Sequence, residues 1–369
     1  MKRPFALIGI TYLSVQAALF YLESDLAAAI LTAVCFIGTI VSLFILKNRN
    51  LRHTVLCFCL TAAFASTIFS GYNIFVKQPI VDKYSEREIY VTATVFEQPT
   101  VQYDTYRYLI ETDSINGKIE KLKICLSTIN ELNVEEFDRI SCVLPLKECT
   151  KSQMIADGAF LQASVNKNFA YIVKNTDDKP LYYQALKIRE NFADSFEQNM
   201  SQDCASLCRA VLLGEKTALS QEIQNDFTRC GVSFLIVVSG MHLAIISSFV
   251  FLCIKKIIKN RVLRSMIMLI CAFSFMAVTG FAPSVVRAGV MLAVVYSGKM
   301  FMRKGDSLNS LGIAALILTV PNPTAVADVG MLLSFTATLG IILWARKITV
   351  YIMGKFAKLK RLKKPVEFT

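Results

Sequence analysis

Histidine is nearly missing: His53 and His242 are the two in 369 residues, and tryptophan occurs once. That scarcity excludes the metallohydrolase classes, because no HxE, HExxH or multi-histidine cluster can be assembled from two isolated histidines. Eleven cysteines at irregular spacings do not supply a zinc site in their place. A phosphate loop is missing too, since Gly214-Glu215-Lys216-Thr217 lacks the leading glycine and the Gly-Lys pair that such a loop requires. Ser239 and His242 stand three residues apart with no acid to orient the imidazole, so a catalytic dyad is not expected. The expectation is a chain without enzymatic activity, metal or cofactor.

Long hydrophobic runs, by contrast, are abundant. Hydrophobic residues make up 54% of the chain and its mean hydropathy is +0.47, which marks an integral membrane protein with a soluble insert. Eight spans are predicted: Phe5 to Tyr21, Leu26 to Leu46, Thr54 to Val76, Val232 to Ile254, Val262 to Gly280, Val285 to Phe301, Leu308 to Val320 and Asp328 to Ala345. The seventh is short enough to be tilted or re-entrant. Met1-Lys2-Arg3 supplies a basic n-region, but no small-x-small cleavage site follows, so the first span is read as a retained helix.

Basic clusters occur at Lys2-Arg3, Lys47 to His53, Lys255 to Arg264, Lys299 to Lys304 and Arg346 to Lys364, while the alternate loops at 22–25, 281–284 and 321–327 carry no Lys or Arg. The positive-inside rule then puts both termini in the cytoplasm and residues of about 77–230 outside, in a multi-pass cytoplasmic-membrane protein. Net charge is +12, yet residues 77–229 hold 18 Lys and Arg against 23 Asp and Glu, leaving 22 against 5 elsewhere. The basic excess is therefore a topology signal and a contact for anionic lipid, not a DNA-binding face.

The insert divides by pattern. From Arg87 to about Val173 short alternating runs read as strands: Ile89 to Phe96, Tyr106 to Glu111, Glu120 to Leu126, Asp138 to Leu146 and Ala159 to Val165, with a hairpin turn at Asn116-Gly117. A small antiparallel barrel of OB-like form fits them, with Tyr103, Tyr106, Tyr108, Phe137 and Tyr171 read as core or turn residues. From Pro180 the period becomes helical. Leu181, Ala185, Ile188, Phe192 and Phe196 form an apolar stripe for a helix lying on the membrane or the barrel, a second helix ends at Gly214, and Ser220 caps a third. Cys125 with Cys142 or Cys149 can staple the barrel in an oxidising compartment. The domains expected are 1–76, three spans; 77–175, the barrel; 176–230, amphipathic helices; 231–345, a membrane domain of about five spans; and 346–369, a basic cytoplasmic tail.

The run from Gly231 to Ile254 is broken near its middle by Ser239-Gly240-Met241-His242, where unpartnered polar groups in hydrocarbon are costly. Two readings stay open: close packing of helices, or lining of a polar pathway. Further on, Pro283 and Ser284 start a span with Arg287 one turn inside it. Asp328 opens the last span, where it suits a helix N-terminus and is placed to pair with Arg287, and Ser334 adds a hydroxyl along that helix.

These residues resemble the ComEC-type competence family. The resemblance rests on Ala210 to Gly214, Leu219-Ser220, Phe227, Gly231, Val238-Ser239-Gly240-Met241-His242-Leu243, Gly280 to Ala288, Pro321, Asp328-Val329-Gly330 and Leu333-Ser334-Phe335. It covers about Ser201 to Leu343, and more weakly the β-rich insert. It implies a channel that carries single-stranded DNA across the cytoplasmic membrane during natural transformation. The implied partners are an exoplasmic DNA receptor or pilus, a cytosolic DNA-translocating ATPase, the lipid bilayer and further copies of the chain. Phe234 stands where the family commonly has His. Many members also carry more spans and a metallo-β-lactamase-like domain, for which these 369 residues lack the histidines. Two alternatives stand beside the channel: a transporter of another solute and a non-conducting scaffold subunit.

Overall fold

The computed structural model describes residues 3–22, 25–45, 48–96, 99–102, 105–134, 136–165, 170–174, 181–215, 219–302 and 305–362. Tyr103, Lys216, Thr217 and the last seven residues lie outside them, and of Phe234 only the backbone is described. The chain opens with three apolar helices, α1 (Pro4–Leu22), α2 (Asp25–Ile45) and α3 (Arg49–Tyr72). The Asn48 side chain starts α3 by accepting from the Asn50 and Leu51 N–H groups, which a helix's own backbone leaves unpaired. The third helix does not stop at the bilayer length expected. One π turn, Asn73–Lys77, carries it without a break into α4 (Gln78–Tyr84). The rod so formed delivers Tyr84 into the barrel core.

The insert is a closed barrel of five strands, β1 (Arg87–Val95), β3 (Thr105–Ile115), β5 (Lys123–Thr128), β6 (Arg139–Glu148) and β7 (Ala159–Val165). The pairing order β1-β3-β5-β7-β6 closes through β6 onto β1. Short strands β2 (Thr100–Gln102) and β4 (Lys118–Ile119) flank β3, and β8 (Tyr171–Lys174) pairs with β6. The barrel is not wholly antiparallel as the strand pattern suggested: β5 and β7 run parallel, their connection passing through β6 and α5 (Ser152–Ala156). Two-residue alternation puts Val91, Ala93, Val95, Ile124, Leu126 and Ile140 inside, each at no more than 2% exposure. The Asn116-Gly117 turn forms as read, with positive φ at both residues. Tyr108 and Phe137 are buried, and Tyr106 and Tyr171 pack on the core, so the described aromatics hold the barrel together.

The cysteine staple is not made: Cys125, Cys142 and Cys149 are free thiols. Alternation explains part of this. Cys142 belongs to the barrel interior, whereas Cys125 points to the outer side of β5 and packs with Cys149 beneath α5.

Helices α6 (Leu181–Asn199), α7 (Gln202–Cys208), continued by a π turn at Arg209–Leu213, and α8 (Gln221–Arg229) follow. Gly214 ends the second with a φ of +86°, and Ser220 caps the third by accepting from Ile223 N–H. The stripe expected on α6 is rotated. Leu186, Arg189 and Ala193 are buried, while Ile188 and Phe192 are about half exposed. Arg189 faces inward because two carboxylates receive it there, as described below.

The remaining helices are α9 (Gly240–Ile257), α10 (Arg261–Val278), α11 (Pro283–Met300), α12 (Ser307–Thr319) and α13 (Val329–Leu362). Among the described residues four helical stretches, Pro4–Leu22, Arg49–Tyr84, Gly240–Ile257 and Arg261–Val278, are long and apolar enough to cross a membrane. A fifth is reached if Val329–Ala345 and Lys347–Met353, bent by 44°, count as one span. These helices are consistent with a multi-pass membrane protein.

The N-terminal helices are not a separate unit. α1 crosses α12 at backbone distance: a Cβ on Gly9 would lie 2.1 Å from the Gly312 carbonyl oxygen, and one on Gly312 2.1 Å from that of Phe5. Asn309 Oδ1 accepts from Ala6 N–H, and Arg3 Nε meets Asp306 Oδ2 at 2.7 Å. At the opposite end of α12, Thr324 Oγ1 and Asn322 Nδ2 donate to the carbonyls of Ile155 and Ala156 on α5. The barrel therefore docks on the loop after α12, while Arg3 and Asp306 meet at the other end of that helix.

Candidate functional site

The break in the 231–254 run is a helix start. Gly231 ends the preceding segment at φ +71°, a short 3-10 turn covers Ser233–Ile236, and β-branched Val237 enters extended backbone. Ser239 is the N-cap of α9, with φ −134° and ψ 168°. His242 occupies the third helical position, where its Nδ1 accepts from Ser239 N–H at 3.2 Å and lies 3.2 Å from Ser239 Oγ. That is the reciprocal arrangement of a capping box, with imidazole in place of Glu or Gln. Through this contact His242 helps to hold the start of α9. The break expected at Ser239-Gly240 is present, and the α-helix covers Gly240–Ile257, with a 3-10 turn and extended backbone before it.

Extended backbone inside an apolar bundle needs partners for its polar groups. Ser284 supplies one, its Oγ donating to the Val238 carbonyl at 2.7 Å. Pro283 sits in the first turn of α11, where its missing N–H costs nothing. Gly240 lets the two helices meet, since a Cβ there would lie 2.8 Å from that of Ala288. One turn along from Ser284, Arg287 NH1 pairs with Asp328 Oδ2 at 2.7 Å, the side chains being 11% and 26% exposed. The same carboxylate caps α13, its Oδ1 accepting from Gly330 N–H at 2.8 Å. Among the described residues Arg287 Nε has no hydrogen-bond partner.

Seven of the eight motif residues, Ser239, Gly240, His242, Pro283, Ser284, Arg287 and Asp328, therefore lie in one connected group. The N-termini of α9, α11 and α13 converge on it, each carrying the positive end of a helix dipole. Ser334 does not join. It is half-buried farther along α13, and among the described residues no contact brings its hydroxyl to Arg287. Thr336 and Thr338 spend their hydroxyls on carbonyls of their own helix.

A second polar group escaped the sequence reading. Arg189 on α6 reaches Glu136 of the barrel at 2.7 Å and Glu215 at 3.1 Å, and Arg209 reaches Glu215 at 2.9 Å and also Glu197. Glu215 and Arg189 are buried, and the network walls a cleft of about 400 Å³ between the barrel and α6. Burial pushes the Glu136 carboxyl above its ordinary range, with Arg189 pulling the other way. Burial also works against the Arg209 charge, and Glu215 and Glu197 more than offset it, holding its pKa up. Arg189 NH1 lies 3.0 Å from where a Cβ on Gly280 would stand, and Tyr182 packs on Phe281 with ring centroids 5.2 Å apart. The network thus joins the barrel, α6 and the loop that starts α11. In the sequence Glu215 stood out only within Gly214-Glu215-Lys216-Thr217, a run set aside as a phosphate loop, and no local pattern pointed to Arg189.

Residues 211–368 match the family model described as Competence protein. ComE operon protein 3 of Bacillus subtilis (strain 168) is 20% identical over 325 residues, covering 86% of this chain. The chain spans 41% of that relative's length. No solved structure matches the chain. The motif group at the starts of α9, α11 and α13 falls wholly inside the matched segment, so this part of the chain is similar to the competence proteins.

Proposed function

We propose that this protein is a component of the membrane channel through which single-stranded DNA enters the cell in natural transformation. The observation that carries the reading is the group formed by Val238, Gly240, Ser284, Arg287 and Asp328. In it, irregular backbone and an arginine sit at the starts of three helices in an apolar bundle. Non-helical backbone at such depth is tolerated where protein buries it or where it borders an aqueous path. Helix N-termini and arginine are the groups that attract phosphate.

The proposed arrangement has eight spans with both termini in the cytoplasm and the barrel outside. Its support is the partition of contacts. The loops without Lys or Arg, at 281–284 and 321–327, touch the insert through Tyr182, Ile155 and Ala156, whereas Arg3 meets Asp306 at the opposite end. The barrel is OB-like in this reading, its closed five-strand order with one parallel pair being consistent with that form. It stands over the mouth of the path, positioned by Arg189. The proposed partners are an exoplasmic DNA receptor or pilus, a cytosolic DNA-translocating ATPase and further copies of the chain. The chain guides the strand and performs no bond-breaking chemistry itself.

Transformation frequency in a clean deletion tests the reading. Loss of transformants with surface-bound DNA unchanged is expected. Unchanged transformation, or loss of uptake of an unrelated solute instead, contradicts it.

A further inference from the structure

The helix ends remote from the barrel carry a cluster that DNA entry at the other end does not use. Arg264, in the first turn of α10, lies over the Phe251 ring of α9 with its guanidinium carbon 5.4 Å from the centroid. Lys299, in the last turn of α11, places Nζ 5.9 Å from the same ring and 4.3 Å from that of Tyr296. Two cations from two helices thus share one aromatic seat supplied by a third. Among the described residues neither cation pairs with a carboxylate. Lys255 and Lys256 end α9, Lys259 lies in the connection and Arg261 starts α10, and the stretch from Lys255 to Arg264 holds no acidic residue.

Cation–π contact orients such groups without neutralising them, so their charge is available to an anion. The surface beside them is apolar: Leu252 on α9 and Leu263 and Met266 on α10 are each 47% exposed or more. Charge at the tip and exposed hydrocarbon below it is the complement of an anionic phospholipid, headgroup and acyl chain together. A free phosphate or a DNA strand would use the charge and leave the hydrocarbon uncovered.

We propose that Arg264 and Lys299, seated on Phe251 and Tyr296, form a binding site for an anionic phospholipid of the inner leaflet. The proposal rests on the membrane reading above. Occupancy ties the ends of α9, α10 and α11 together at the lipid headgroup.

The test uses the full chain in detergent micelles. Phosphatidylglycerol, phosphatidylcholine, inorganic phosphate and a short single-stranded oligonucleotide are each titrated, and bound ligand is counted by native mass spectrometry. Retention of phosphatidylglycerol over phosphatidylcholine is expected. Arg264→Gln with Lys299→Gln should weaken it about 30-fold, the loss of two cations at an anionic headgroup. Arg264→Lys with Lys299→Arg should retain it. Should the double glutamine variant fail to accumulate, Lys299→Gln alone, on an exposed side chain, should weaken binding about fivefold. Equal retention of the two lipids, undiminished binding in the glutamine variants, or displacement of the lipid by phosphate or oligonucleotide would overturn the site. Carbonate extraction of cell membranes separates the two readings. A chain released by carbonate defeats the membrane reading, and a chain retained there without lipid preference defeats this proposal alone.

Discussion

Ser284 Oγ donates to the Val238 carbonyl at 2.7 Å, and this bond fastens the non-helical half of the 231–254 run to the first turn of α11. Beside it the backbone of Gly240 comes close enough to Ala288 that a methyl group on either side decides the fit. Gly240→Ala should therefore strain the contact, at about 1–3 kcal/mol for an overpacked site. Combining it with Ala288→Gly should restore most of the loss. Thermal unfolding of the purified chain in detergent reads both, and a double variant no better than the single would remove Ala288 as the cause.

Arg287 and Asp328 form the neighbouring pair. Asp328→Ala removes the partner of a buried guanidinium and the cap of α13 together, and should cost about 3–5 kcal/mol. Asp328→Asn keeps an oxygen for Gly330 N–H and should cost distinctly less. The two midpoints, compared in one detergent, check the order.

At Glu136 the sign follows from burial. Its carboxyl titrates above the ordinary range in the folded chain, so the associated stability is fully present below the unfolded value. It is lost as pH rises through the folded one. Unfolding midpoints should therefore fall across that window, and Glu136→Gln should flatten the fall. Glu215→Gln has another signature. It removes the carboxylate shared by Arg189 and Arg209 and should lower the unfolding midpoint.

Thiol reactivity offers an independent view of the barrel. Burial pushes the Cys142 thiol up to about 12, whereas Cys204 and Cys230 are exposed. Since the thiolate is the nucleophile, maleimide at mildly alkaline pH should label Cys204 and Cys230 quickly and Cys142 only after unfolding. Mass spectrometry of the peptides reports it, and prompt labelling of Cys142 would contradict the buried strand.

Much of this architecture was legible in the sequence, for reasons that differ by element. Two-residue alternation located all five barrel strands, and the Asn116-Gly117 turn was readable because positive φ selects those residues. Asp328 and Arg287 were paired from helix-terminus electrostatics alone. The parallel β5–β7 pair was not readable, because alternation reports which face is buried and not strand direction. Nor was the inward turn of Arg189. The apolar stripe through Ile188 and Phe192 outweighed it until the partners from residues 136 and 215 were in view. The Gly9–Gly312 crossing joins positions some three hundred residues apart, each a lone glycine in an apolar run, and only the fold brings them together.

In the proposed channel the Gly240 and Arg287 group borders the path of an entering DNA strand. The direct measurement is the amount of labelled DNA that becomes nuclease-resistant in a transformable host expressing the Gly240→Leu, Arg287→Gln variant at normal abundance. The account predicts surface-bound DNA as in the wild type and almost none internalised. Internalisation at the wild-type level would contradict it.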